Sequence, residues 1–236
     1  MCLDTFVVMW RPPWAWREFL LQAWFVARVS IVPTAFLAIP IVVLGTYTLN
    51  VLLIEFGAAD LSGTGVAVGA VTQGGPIVTV LVISGAAATA MCADLGARTI
   101  REEIDAMRVL GINPIQALVV PRVLAATFVA VLLTSMVTIV GITAAYFFSI
   151  FLQHITPGAF VAGLPLLVGV PELVIALIKA ALFGLAAGLI ACYKGLTVGG
   201  GPAGVGTAVN ETVVYTFLAL FVINVIVTAV GVKATL

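Results

Sequence analysis

The sequence Asp94-Leu-Gly-Ala-Arg-Thr-Ile-Arg-Glu-Glu-Ile-Asp-Ala-Met-Arg108 carries seven charged residues in fifteen positions, although only 8% of the 236 residues in the chain are charged. Soluble domains contain roughly 25% charged residues, so the remainder of this chain is far too poor in charge to face water. Hydrophobic residues make up 63% of the chain. Lipid is therefore the expected environment of most side chains, and the segment 94–108 is the expected exception.

Long apolar stretches lie on both sides of this segment. Each approaches or exceeds the roughly 20 helical residues that cross a bilayer. Helices are expected because a span must satisfy its backbone hydrogen bonds internally, and repeated alternating strands of about ten residues do not occur. The sequence predicts an all-α integral membrane protein with one domain over residues 1–236 and spans at 29–54, 70–93, 122–151, 172–194 and 213–232.

Residues 1–28 mix aromatic, basic and aliphatic side chains at helical spacing. This pattern predicts an interfacial helix separate from the first span, with Pro12 and Pro13 near its start and Pro33 at a bend. The alternative is an ordinary aromatic belt on the first span itself. No small-residue cleavage site follows a short apolar core, so a signal peptide is not expected.

The basic residues fix the expected orientation. Arginines precede the first span and lie between the second and third spans, and Lys194 lies between the fourth and fifth. The other two loops, about 55–69 and 152–171, carry no Lys or Arg. By the positive-inside rule, the N-terminus is cytoplasmic and the C-terminus extracytoplasmic.

The segment 95–110 is predicted to form a short amphipathic helix on the cytoplasmic side. Arg98 stands four residues before Glu102, and Arg101 four before Asp105, a spacing that favours ion pairs. Gly111, followed by Asn113-Pro114, should end the helix. The helix is either a solvated loop or an element that docks on another subunit. Its apolar face is formed by Ile100, Ile104, Met107 and Leu110.

Other residues with possible chemistry give weaker signals. Lys179 is charged inside the fourth span, which marks either a functional site or a side chain that reaches the outer headgroups. Asp94 is expected to cap the charged helix or to pair with Arg98, and the alternative is that it contacts the cargo. His154 is expected on an outer surface. The cysteines form no disulfide or metal pattern, no Ser/His pair or carboxylate pair suggests an enzyme, and no basic patch suggests nucleic acid.

The glycine-rich run at 199–206 is predicted to be a tight cytoplasmic connection. It lacks the Lys-Ser/Thr that closes a phosphate-binding P-loop, and no strand precedes it. Close packing against neighbouring backbone explains the glycines better than a nucleotide does. The chain is therefore not expected to hydrolyse ATP itself.

Several ordered motifs together resemble the MlaE/YrbE family, the permease subunits of lipid-transporting ABC systems that work with MCE proteins. The residues in these motifs are most similar to those of the A-type YrbE permease of actinobacterial Mce systems. The likeness covers nearly the whole chain. The motifs are Ala93-Asp94-Leu95-Gly96, Glu102-Glu103-Ile104-Asp105-Ala106-Met107, Leu110-Gly111-Ile112-Asn113-Pro114, Pro121-Arg122, Leu177-Ile178-Lys179-Ala180-Ala181-Leu182-Phe183-Gly184 and Gly199-Gly200-Gly201-Pro202-Ala203-Gly204-Val205-Gly206.

The resemblance implies a non-catalytic permease in the plasma (inner) membrane. Its partners would be a B-type permease homologue, a cytoplasmic ABC ATPase, MCE proteins on the outer side and a lipid cargo. No cofactor would bind directly, because ATP and Mg²⁺ belong to the ATPase. The family's coupling helix corresponds to Arg98, Arg101, Glu102, Glu103, Asp105, Met107 and Arg108. The first two spans would wall a lipid cavity in the dimer, with candidates Gly45, Tyr47, Val51, Leu52, Glu55 and Gln73.

Two departures from the family pattern lie in the second span. Thr72-Gln73-Gly74-Gly75-Pro76 stands where the family often has Arg-Glu-Leu-Gly-Pro, and Gly85-Ala86 stands where it often has Gly-Arg. Both predict a less polar pocket. The alternative function is a secondary lipid transporter driven by an ion gradient, but that class usually has buried carboxylates or inverted repeats, and neither is evident.

Overall fold

Seven helices organise the part of the chain that the computed structural model describes, namely residues 5, 16–58, 61–166 and 168–235. Five of them are long and apolar enough to cross a membrane, as the sequence predicted. Each is longer than its predicted span. The helices are α1 Trp16–Glu55, α2 Ser62–Ile100, α3 Glu103–Val109, α4 Ile115–Gln153, α5 Pro157–Gly163, α6 Val170–Leu196 and α7 Gly201–Thr235.

The prediction that an interfacial helix is separate from the first span is wrong, because α1 includes both. Residues 16–28 continue without a break into the first span, and the helix passes through both Pro33 and Pro40. Proline is tolerated inside membrane helices because neighbouring groups can satisfy the freed backbone carbonyl. The predicted start at Pro12 and Pro13 lies outside the described residues.

A narrow stripe of α1 is buried. Every fourth residue from Gln22 to Asn50 is inaccessible, whereas most of the large apolar side chains between them are exposed. The burial repeats at the same interval on α7, from Ala208 to Asn224. Lipid gives helices no hydrophobic reason to associate, so small and polar residues form the packed face. Thr46 and Thr212 show how such groups are satisfied, because each hydroxyl donates to the carbonyl four residues earlier, at 2.8 and 2.7 Å.

Two π-helical turns interrupt α2, at Gly69–Gly74 and Ile83–Ala87. A π turn holds an extra residue and is often found at functional sites. The two motif departures fall within them, Thr72-Gln73-Gly74 in the first and Gly85-Ala86 in the second. The side chain of Gln73 and the backbone at Gly85 are exposed there.

The chain divides into two compact units, each made from pieces of several helices. The first comprises Met1–Ile31, Val80–Val131 and Ala181–Ile223. Within it α4 and α6 approach closely at Gly184, where an added Cβ would collide with the backbone of Ala126 and Thr127.

The second unit comprises Val32–Thr79, Leu132–Ala180 and Asn224–Leu236. Asn50 is fully buried there and joins three helices: its Nδ2 donates to Ser149 Oγ at 3.0 Å and to Gln153 Oε1 at 2.5 Å, and its Oδ1 accepts from Ser62 Oγ at 2.6 Å. The short α5 closes on the start of α2, where Thr64 Oγ1 donates to the Gly163 carbonyl at 2.8 Å. A small apolar core surrounds these bonds: Val42, Val66, Ala70, Ala145, Ile155 and Phe160.

Candidate functional site

The charged segment is not the single helix predicted over residues 95–110. α2 ends at Ile100, and α3 begins at Glu103 after a turn at residues 101–102. Glu102 stands at the turn, with φ of 59° in the left-handed region. Such a conformation costs a non-glycine residue about 1–2 kcal/mol, so the surrounding contacts must hold it.

This break replaces the predicted ion pairs. Arg101 pairs with Glu103 at 2.9 Å, and Arg108 pairs with Asp105 at 2.8 Å. The expected Arg98–Glu102 and Arg101–Asp105 pairs do not form among the described residues, because they require one uninterrupted helix. The observed pairs are exposed and contribute little to stability.

The exposed surface of α3 is also different from the predicted apolar face. Ile104 is buried, and Ile100 and Met107 are partly covered. Leu110, the fourth residue of the predicted face, is 75% exposed, and Val109 at 88% and Ile112 are exposed beside it. Apolar side chains this exposed, beside Arg108, form a small patch suited to contact with another protein.

The predicted stop at Gly111 has a defined geometry. Its φ is 76°. The N–H of Ile112 donates to the Met107 carbonyl at 2.9 Å, and that of Gly111 donates to the Arg108 carbonyl at 3.0 Å. This pair of bonds is a Schellman cap, which uses glycine for its left-handed residue. Asn113 then forms a turn, its Oδ1 accepting from the N–H of Ile115 at 3.0 Å.

Gly111→Ala is expected to lower the free energy of unfolding by about 1 kcal/mol, because alanine pays the left-handed penalty that glycine avoids. Gly111→Asn is the matched control, since asparagine tolerates this conformation and should cost less. Thermal unfolding compares stability, and amide exchange of residues 110–114 compares local opening. Equal behaviour of the two variants would contradict the assignment of the cap.

A buried ion pair fixes the base of this segment. Arg122 at the start of α4 is fully buried and donates to the carboxylate of Asp94 and, at 3.0 Å, to the Leu118 carbonyl. Asp94 also pairs with Arg98 at 3.4 Å. The expected Asp94–Arg98 contact is present, whereas the partnership of Asp94 with Arg122 was not anticipated. A charge at the start of an apolar span was the available signal.

An apolar groove of about 260 Å³ lies between α1 and α2 in the second unit. Two of the predicted cavity residues, Gly45 and Gln73, line it, and the first π turn of α2 forms part of its wall. A shallow depression beside it, of about 480 Å³, includes Gly45 and Leu52. Both recesses are predominantly apolar, so acyl chains would suit them better than ions.

The other three cavity candidates do not line these recesses. Tyr47 packs its ring edge-on against Phe148 on α4, with centroids 6.0 Å apart. Val51 is partly covered, and Glu55 is exposed at the end of α1. Helical rotation turns two of them away, because Tyr47 is two residues from Gly45 and Val51 is one residue from Leu52, and neither spacing places side chains on one face.

Lys179 is buried within α6 and does not reach the surface. Its side chain is 2% exposed, and Nζ donates to the backbone carbonyl of Thr72 at 3.2 Å. Thr72 belongs to the first π turn of α2. The ammonium therefore supports a carbonyl at the place where the helical hydrogen-bonding pattern changes.

The remaining predicted positions have structural roles. Gly199 and Gly200 form a short turn, and the rest of the glycine run, from Gly201, already belongs to α7, with positive φ at Gly200 and Gly201. Beside it, Lys194 pairs with Glu211 at 2.6 Å. His154 is exposed directly after α4. Cys92 and Cys192 are buried free thiols, and no cluster of metal-ligating residues occurs in the described part of the chain.

Comparisons with known proteins match most of the chain. A family model described as Permease MlaE matches residues 19–230. A probable ABC transporter permease protein of Synechocystis sp. is 32% identical over 171 residues, which cover 72% of this chain and 65% of that protein. One of Rickettsia bellii is 24% identical over 221 residues, 92% of this chain and 84% of that protein. Protein TRIGALACTOSYLDIACYLGLYCEROL 1, chloroplastic, of Arabidopsis thaliana is 30% identical over 154 residues, 65% of this chain and 44% of that protein.

Proposed function

Because the chain belongs to the MlaE permease family, we propose that it is the membrane-spanning subunit of an ATP-driven lipid transporter. Its membership of this family and its five long apolar helices indicate a multi-pass inner-membrane permease of the ABC type. The proposal adds that a separate cytoplasmic ATPase drives it, that Arg98–Arg108 is the coupling element, and that the N-terminus is cytoplasmic.

The exposed end of α3 is the observation that carries the coupling role. Val109 and Leu110 stand clear of the chain's own core, while the Gly111 cap and the Asp94–Arg122 pair hold both ends of the segment. A rigid element with an apolar tip and flanking charges can enter a groove on another subunit and transmit its movement. A solvated loop would gain nothing from this combination.

Lipid is the proposed cargo because the groove of the second unit is apolar. The name of the Arabidopsis relative includes that of a diacylglycerol lipid, which agrees with a lipid cargo. We further propose that the groove becomes part of a cavity in a dimer with a B-type homologue, and that MCE proteins receive or deliver the lipid on the outer side. ATP and Mg²⁺ would bind the ATPase.

The gradient-driven alternative needs an acidic residue that can exchange a proton or sodium ion inside the membrane. Among the described residues, no Asp or Glu is buried. Ionophores should therefore leave lipid flux unchanged while removal of ATP stops it. Flux that collapsed with the proton gradient would favour the alternative.

Leu110→Asp is expected to reduce co-purification of the ATPase at least tenfold, because an exposed apolar anchor at an interface contributes about 2 kcal/mol or more. Phe56→Asp is the matched control, since Phe56 is also apolar and 82% exposed but follows α1. Simultaneous charge reversal at Arg101, Glu102, Glu103 and Asp105 should abolish the association. An ATPase that still bound all variants normally would refute the coupling role.

Cargo is tested on the same preparation. Mass spectrometry of lipids that co-purify with the intact complex should identify a lipid absent from a variant in which the groove is filled, for example Gly45→Trp. Gly45 has open space around it, so the larger side chain should occupy the groove without displacing the helices. Unchanged lipid content in that variant would argue against this groove as the cargo site.

A further inference from the structure

Lys179 is a buried charge without an opposite charge. Its side chain is 2% exposed, and it forms no ion pair with any residue that the structure describes. Of its three N–H donors, one reaches the Thr72 carbonyl at 3.2 Å. Burying an ammonium is costly unless it is paired, so a neutral carbonyl is an incomplete compensation.

A small pocket lies beside this ammonium. Its volume is about 60 Å³, and Lys179 lines it together with Thr72, Glu172, Ile175 and Thr228. One water molecule needs a cavity volume of about 10–15 Å³. The pocket can therefore hold a few water molecules, or one carboxylate or phosphate group. The hydroxyls of Thr72 and Thr228 donate within their own helices, to the carbonyls of Val68 and Asn224 at 2.6 Å each. Lys179 therefore supplies the N–H donors of this pocket.

Glu172 does not supply the missing charge. Its Oε2 accepts from the N–H of Gly169 at 2.8 Å, at the beginning of α6. Glu172 precedes Lys179 by seven residues, which is about 10 Å along a helix. The pocket therefore has an acidic residue near one end and an unpaired ammonium near the other.

We propose that this pocket binds an anionic group, a carboxylate or a phosphate, as the counter-ion of Lys179. The group comes either from a lipid headgroup or from a free anion. The lipid source fits the position of the pocket, because Lys179 and Thr72 both lie in helices that are long and apolar enough to cross a membrane. The site is separate from the α1–α2 groove, and it depends on neither ATP nor the ATPase.

Thermal unfolding of the full chain, purified in a neutral detergent with the subunits that accompany it, tests the proposal. Oleate should raise Tm by about 8 °C at a hundredfold excess over its Kd. Oleyl alcohol, which has the same chain without the charge, should not. Inorganic phosphate distinguishes the sources: a rise with phosphate alone indicates a free anion, and a rise with oleate alone indicates a lipid.

Three variants locate the effect. Lys179→Met should lose the response to oleate, whereas Lys194→Met should keep it because Lys194 already pairs with Glu211. Thr228→Asp keeps the experiment decisive if Lys179→Met fails to fold. It places a carboxylate in the pocket, so it should raise Tm without ligand and lose the response. The proposal would be overturned if Tm of the unmodified protein rose neither with phosphate nor with oleate relative to oleyl alcohol, or if the anion that raised it acted equally on Lys179→Met or Thr228→Asp. Either result would leave the ATP-coupling proposal intact.

Discussion

Asp94→Asn is expected to lower the free energy of unfolding by about 3 kcal/mol, because it leaves the fully buried Arg122 without its counter-charge. For a chain of this length, that corresponds to a fall in Tm of about 10 °C. ATP-driven flux should fall further than stability alone explains, since the pair holds the base of α3. Thermal unfolding and transport by the reconstituted complex measure the two effects.

Asp105→Asn provides the matched control, because Asp105 pairs with Arg108 on an exposed surface. Its cost should be at most about 1 kcal/mol. Combining Asp94→Asn with Arg122→Met should recover much of the loss, because the second change removes the stranded charge. If Asp94→Asn and Asp105→Asn were equally mild, the buried pair would have no special role.

Gly184→Ala is expected to destabilise the protein by about 3 kcal/mol, an effect near the upper end of overpacking. The added Cβ meets the backbone of Ala126 and Thr127, which cannot rotate away as a side chain could. α4 and α6 must then separate within the first unit. Thermal unfolding in detergent should show a lower Tm, with loss of monodisperse protein during purification.

The same substitution at Gly206 should act in the opposite direction. Gly206 lies in α7, is exposed and has open space around it. Alanine there should stabilise the helix by up to about 1 kcal/mol, because glycine is a poor helix former. If glycine-to-alanine lowers stability at position 184 and raises it at position 206, the loss at 184 is due to close packing and not to helix propensity. A stabilising Gly184→Ala would contradict the close approach of α4 and α6.

The five spans were predictable because charge and hydropathy report directly on the solvent that a segment faces. The break between α2 and α3 was not, since a left-handed Glu102 is imposed by the surrounding structure and has no local sequence signal. The stop at Gly111 was predictable for the opposite reason: glycine before Asn113-Pro114 is a local signal of a helix end.

The candidate sites depend more on tertiary contacts. Gly45, Leu52 and Gln73 reach the recesses, but Tyr47 packs against Phe148, and the sequence does not indicate which face of α1 each neighbouring helix covers. From the sequence, Arg122 could be assigned only to the side of the membrane that carries the basic loops. Its ion pair with Asp94 was not predictable, because Asp94 is 28 residues earlier in the chain. The sequence indicated that burying the charge of Lys179 inside a span is costly, but it could not indicate the contact of Lys179 with Thr72.

The length of α1 has a mechanical consequence. Its 40 residues rise about 60 Å at 1.5 Å each, roughly twice the thickness of the hydrocarbon layer. Tilt alone cannot easily absorb this excess, and the charges of Arg17, Glu18 and Arg28 assign it to the N-terminal end. Because the first span continues into this extension without a break in the helix, any bend between them has to occur inside α1, and Pro33 and Pro40 are the residues that permit one.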